Sequence, residues 1–196
     1  MAHGTQHPNS RGLRTPGRLE TNPIPPRTAD GNARGAVLKD ASDGQIEGVR
    51  VRPLSAHQDH RGWLVELFRE DELPTDALPA MAYVSETLPG VARGPHEHID
   101  QTDYFAFLGP GEFVLYLWDA RVGSPTHGHR MKLRVGQSNR QCVIVPPGVV
   151  HAYKNVGSIP GWVFNAPNRL YAGPGKRGPV DEIRHEERVD SPHRLD

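Results

Sequence analysis

The sequence predicts an all-β fold, one barrel of short strands behind a Pro- and Gly-rich N-terminal tail. Three observations carry this expectation. From Gly48 onward, short runs rich in Val, Leu, Phe and Tyr recur: AYVSETL, DYFAFL, EFVLYLWDA, HRMKLRV, QCVIVPP, AYKNV and WVFNAPN. Gly, Pro, Asn or Asp breaks them at short intervals, which is the punctuation of turns. Only EDELPTDA has helical character, and Pro74 confines it to a short turn. Regular short strands with turn signals indicate a sandwich or barrel.

Taken in order, residues 1–45 carry few large apolar side chains and are rich in Pro, Gly, Arg, Asn and Thr, as in TNPIPPRTADGNARG. Such a stretch buries too little surface to offset its ordering entropy, so a disordered tail is expected there. Residues 46–185 form the barrel domain. Within it, VRVRPLSA alternates as an opening strand, HQDHRGWLVELF gives a turn and then an apolar run, and the remaining runs follow at even spacing. Residues 186–196 read as a polar C-terminal tail.

Composition excludes several function classes. The chain has 196 residues, enough for one domain plus a tail. Its 23 basic residues balance 23 acidic ones, so the positive surplus of a nucleic-acid binder is missing. No apolar run approaches the roughly 18–20 residues of a membrane span. The N-terminus lacks an apolar signal region. The single cysteine, Cys142, forms no intrachain disulfide and fits a reducing compartment, so a cytoplasmic location is expected. It lies in an apolar strand and is expected in the core. Histidine is the unusual count, with 11 copies.

Three of those histidines fall in a pattern. In GPHEHIDQTDYFAF, His96 and His98 are spaced i, i+2, which on a strand places both side chains on one face. Asp103 follows. In VPPGVVHAYKN, Pro147 and Gly148 set a turn that delivers His151 onto the next strand. Two His, a carboxylate and a distant third His are able to close on one divalent cation, and Zn, Fe, Mn, Ni or Co accepts such a mixed nitrogen and oxygen set. The alternative for Asp103 is a metal-free ion pair with His98 or a nearby arginine. His127 and His129, in SPTHGHR, and His57 and His60, in AHQDHRG, are expected at the surface, and His185 in a charged tail.

These motifs carry a resemblance. HxH(x4)D followed by PxGxxH(x3)N is similar to the two signature motifs of the cupin superfamily, with Asp103 where Glu usually stands and Asn155 closing the second. DHRGWLVELFRED, GVARGPHEH, LWDARVGSPTHG, QSNRQCVIVPPGVVHAY and NRLYAGPGKRGPVDEI fall in the same order as in the dTDP-4-dehydrorhamnose 3,5-epimerase family, over about residues 46–185. The resemblance implies a cupin jelly-roll β-barrel with a short C-terminal segment, a strand-exchanged homodimer, and epimerisation beside the 4-keto group of a nucleotide-linked deoxyhexose. It implies no metal and no organic cofactor.

Carried over residue by residue, the resemblance makes His96 the catalytic base, with Asp181 as the carboxylate that orients it. Arg93 matches the arginine that binds the diphosphate. Arg61 and Glu66 match the stretch that lines the nucleotide site across the dimer, and Lys154 is a further candidate for substrate binding. His151 matches the histidine of the second motif and Tyr171 a downstream tyrosine. Two family residues are replaced: the lysine that helps hold the enolate corresponds to Asp103, and the catalytic tyrosine corresponds to Asn165. His98 stands in place of a glutamine. Both His98 and Asp103 thus turn non-ligands into ligands, and with His96 and His151 they define a candidate metal site of four residues. Three functions follow: a sugar-nucleotide epimerase or isomerase, a metal cupin of another reaction type such as an Fe(II) oxygenase or small-molecule isomerase, and a non-catalytic sugar-nucleotide binding barrel.

Overall fold

A computed structural model describes Met1 and residues 44–196; the tail expected over 1–45 lies almost wholly outside the described residues. The strands are β1 (Arg50–Pro53), β2 (Ala56–Asp59), β3 (Gly62–Val65), β4 (Tyr83–Thr87), β5 (Ala92–Glu97), β6 (Asp103–Phe107), β7 (Glu112–Asp119), β8 (Arg130–Gly136), β9 (Gln141–Val145), β10 (Val149–Asn155), β11 (Gly161–Asn165) and β12 (Ile183–Arg184). They build two five-stranded sheets, ordered β1-β9-β6-β11-β4 and β12-β5-β10-β7-β8, plus the separate hairpin β2-β3. Every ladder is antiparallel. EDELPTDA contributes one turn of 3-10 helix, Thr75–Ala77.

Alternation explains which side chains fill the space between the sheets. On β7, Phe113, Leu115 and Leu117 enter the main core with Phe105 and Phe107 of β6. Val114, Tyr116 and Trp118 point the other way and form an outer cluster with Val150 and Ala152. Both faces of β7 are covered, which is why EFVLYLWD reads as an unbroken apolar run rather than an alternating one. Cys142 is a buried free thiol beside Tyr104 and Ile144. The core begins at Ile46, which is fully buried.

The C-terminal segment covers the outer cluster. Leu195 packs on it, His193 lies 5.4 Å from Trp118 between ring centroids, and Ser191 is buried. Asp196 pairs with Lys132 and Arg130 on β8. Residues 186–196, polar in composition, thus lie along the sheet rather than away from it. The segment before them enters the second sheet as β12, with Ile183 opposite Glu97 and Arg184 opposite His96.

Candidate active site

A cavity of about 890 Å³ opens between the two sheets, lined by His96, His98, Asp103, Tyr83, Asn165 and Arg93 among others. His96 and His98 come from β5 and its end, as their i, i+2 spacing predicts, and His151 stands directly opposite His96 on β10. Between the pairs His151–His96 and Tyr153–Arg93 the register shifts, two β5 residues, Gly94 and Pro95, standing against the single Ala152 of β10; bulges often re-aim side chains in this way. Close approach of β5 and β10 also requires Gly94, whose φ is +81° and whose added Cβ would lie 2.6 Å from the His151 carbonyl oxygen.

Asp103 ties the cluster together. Its Oδ2 lies 3.2 Å from Nε2 of His98 and 3.2 Å from Nε2 of His151. The His151 nitrogen is fully enclosed, and its approach to Asp103 is off the axis of a well-formed hydrogen bond. Gln101 donates to Asp103 Oδ1 at 2.8 Å and lies 3.2 Å from His98 Nε2. Each imidazole has its Nδ1 turned toward an oxygen: His98 toward the Asp181 carbonyl, His151 toward the Val149 carbonyl at 3.1 Å, and His96 toward the Glu182 carboxylate at 3.9 Å. One nitrogen from each of the three histidines lies within 4.8 Å of the others.

The same geometry sets the charges. Burial first, then the neighbouring His151 and His98, pushes His96 down to about 2, so its imidazole is neutral at ordinary pH. Burial would also lower His98, but the Asp103 hydrogen bond and charge, with the Asp181 carbonyl, outweigh it and raise His98 to about 9. Burial would raise Asp103, yet the His151 and His98 contacts hold it well below the usual carboxylate range.

Other sequence candidates are placed differently. Asp181 does not turn its carboxylate to His96: burial would raise its pKa, but hydrogen bonds from the amides of Ile99, Asp100 and Gln101 hold the carboxyl ionised, and they consume its oxygens. The carboxylate beside His96 is its neighbour Glu182. Lys154 alternates with the inward-facing Tyr153 and is not among the cavity-lining residues. Arg61 and Glu66 are exposed on and just after the β2-β3 hairpin; Arg61 pairs with Asp59, and within one chain neither reaches the cavity. Arg93 does line it, braced by Thr87 Oγ1 at 3.0 Å and the Glu86 carbonyl at 2.6 Å. Tyr171 is on the rim, and Asn165 in the wall donates to the Val163 carbonyl at 2.9 Å. His57, His60 and His127 are exposed, but His185 is buried against Glu97 at 2.9 Å.

Sequence reading passed over Glu182, Gln101, Tyr83, Ser85 and Tyr153, all of which line the cavity. A signal existed for β4, where AYVSETL alternates and puts Tyr83, Ser85 and Thr87 on one face. For Gln101 and Glu182 no local pattern distinguishes them from surface residues.

A family model described as dTDP-4-dehydrorhamnose 3,5-epimerase matches residues 43–162. The chain belongs to this family. A relative from Haloferax volcanii, described as a "probable low-salt glycan biosynthesis epimerase", is 37% identical over 127 residues, covering 64% of this chain and 81% of the relative. The spore coat polysaccharide biosynthesis protein SpsL of Bacillus subtilis is 34% identical over 115 residues, 59% of this chain and 75% of that protein. Among solved structures, a dTDP sugar isomerase from Desulfovibrio desulfuricans superposes with a TM-score of 0.62 at 26% identity, covering 71% of this chain and 84% of the other. The 3'-monoepimerase ChmJ of Streptomyces bikiniensis superposes with a TM-score of 0.61 at 23% identity, over 71% and 70% of the two chains, and shares the fold. Membership of the family makes the barrel a jelly roll of the cupin type and the protein an epimerase, that is, an isomerase.

Proposed function

We propose that this protein epimerises a carbon beside the 4-keto group of a nucleotide-linked 4-keto-6-deoxyhexose, in the synthesis of a surface polysaccharide or glycan. The observation that carries the reading is that one strand, β5, presents to one cavity both a neutral imidazole, His96, and an arginine, Arg93. Arg93 spends two of its N–H groups on Thr87 and Glu86, which leaves others for the phosphate oxygens that a guanidinium fork matches. The keto group acidifies the adjacent C–H. His96 takes that proton, the electron pair moves onto the carbonyl oxygen as an enolate, and a donor on the opposite face returns a proton to carbon. The test is incubation with dTDP-4-keto-6-deoxyglucose in D2O: deuterium is expected at C3 or C5, and no exchange with any nucleotide form would count decisively against the reading.

A second reading of the imidazole cluster is favoured by one observation. Three histidines turn Nδ1 toward protein oxygens and gather around a buried carboxylate, with the His151 Nε2 left without a good partner. Outer oxygens that orient imidazoles in this way are common around metals. In that reading His96, His98, His151 and Asp103 would hold a divalent cation, which would supply Lewis acidity beside the substrate carbonyl and, with the ionised Asp103, a net positive charge. His96 is then a ligand and not the base. Elemental analysis of protein purified without chelator, beside His98→Ala, decides: a metal-free protein with unchanged stability in the variant removes this reading.

The dimer is part of the same proposal. What supports it is the β2-β3 hairpin, which exposes Trp63 and Leu64 along with Arg61 and Glu66, all outside the cavity of their own chain. A monomer at micromolar concentration in sedimentation would leave Arg61 and Glu66 without a role. No helix among the described residues is long and apolar enough to cross a membrane. The buried free thiol of Cys142 supports a reducing, cytoplasmic setting.

A further inference from the structure

Epimerisation needs a proton donor on the wall that faces the base, and the inference below rests on the epimerase reading above. His96 and His151 belong to the sheet β12-β5-β10-β7-β8, whereas β6, β11 and β4 form the other sheet. In that other sheet Tyr83 of β4 is the direct cross-strand partner of Asn165 of β11. Directly opposed residues of an antiparallel pair send their side chains to the same face, and both of these line the cavity. Asn165 offers only a carboxamide, whose N–H is far too weak an acid to protonate an enolate, and that group already donates to the Val163 carbonyl.

The other hydroxyls within reach are committed or loosely held. Ser85 and Tyr153 bond one another at 2.8 Å. Tyr171 is on the exposed stretch after β11, not on a strand. Tyr83 is fixed by the β4-β11 ladder, and its hydroxyl has no hydrogen-bond partner among the described residues. It shares the cavity with Asp103, Glu182 and Arg93 and feels their charges. Tyr83 is itself half exposed, at 48%; partial desolvation, followed by the Asp103 charge, raises the pKa of its hydroxyl and keeps its proton on at neutral pH.

We propose that the Tyr83 hydroxyl delivers the proton that completes epimerisation, from the β4 wall onto the sugar face turned away from the histidines. Its O–H bond breaks as the new C–H bond forms, the enolate pair returns to carbon and the carbonyl is restored. The resulting tyrosinate regains a proton from water, and the histidine wall releases its own to water. The donor has moved one strand across the ladder from the position at which Asn165 stands.

The experiment follows deuterium uptake and product configuration together, for wild type and Tyr83→Phe, with dTDP-4-keto-6-deoxyglucose in D2O. Phenylalanine keeps the ring and removes only the hydroxyl. The expected result is that Tyr83→Phe still exchanges the substrate C–H with solvent while formation of the inverted sugar falls by roughly 100-fold or more, the size of a lost general acid. Inversion within a few-fold of wild type would overturn the assignment. So would loss of exchange and inversion together at unchanged dTDP affinity, because Tyr83 would then serve proton removal. A wild-type protein without exchange would overturn the epimerase reading and this assignment with it, whereas a wild-type protein that exchanges and inverts confines any failure to Tyr83.

Discussion

The Nε2 of His98 lies 3.2 Å from the Oδ2 of Asp103, both side chains being almost closed off from solvent. His98 is pinned from its other side by the Asp181 carbonyl, so the pair is held rather than merely adjacent. The state of this imidazole–carboxylate unit depends on protons.

That unit makes stability pH-dependent in chelator-treated protein. His98 is raised from the ordinary 6.5 to about 9, so its stabilisation is complete below about 6.5 and is lost as pH climbs through 9. Asp103 is depressed, so its own share is present above about 4 and is lost only in acid. Wild type should exceed Asp103→Asn in stability by on the order of 2 kcal/mol near pH 6, and the gap should narrow by pH 9.5. Thermal denaturation of both proteins at the two pH values measures this, and a constant gap would contradict the pairing.

Arg93 should govern affinity for the nucleotide more than turnover. Removing a charged fork that bonds phosphate oxygens costs about 1.5–3 kcal/mol, so Arg93→Ala should weaken dTDP binding by roughly 10- to 100-fold. Arg93→Lys restores charge without the planar fork and should recover only part of it. Calorimetric titration of dTDP into the three proteins gives the comparison.

Asn155 should matter for stability alone. It is fully buried, donates to the carbonyls of Thr87 and Ile159 at 2.8 Å each, and accepts from the Gly157 amide at 2.9 Å. Asn155→Ala strands these three backbone groups, at a cost of about 2–4 kcal/mol. In urea the midpoint should fall with an unchanged slope, while the exchange rate per folded molecule stays at the wild-type value.

What was legible in the sequence is what short stretches encode. Period-two spacing set His96 and His98 on one face, the PPG turn delivered His151, and the apolar runs marked β6, β7 and β9. What was hidden depends on contacts between distant stretches. Nothing near Glu182 says that β12 pairs with β5 and brings it beside His96. Nothing near Tyr83 says that its ladder partner is Asn165. The polar composition of residues 186–196 conceals the few side chains, Ser191, His193 and Leu195, that seat the segment on β7 and β10.

The three amides gathered by the Asp181 carboxylate have a consequence during synthesis. Ile99, Asp100 and Gln101 form the loop that leads from His98 to Asp103, and this loop waits for an acceptor some 80 residues downstream. Both sheets have all their strands but β12 by Asn165, so the ladders precede this clasp in chain order. The loop that joins His98 to Asp103 is therefore fastened by a part of the chain made after the strands it connects.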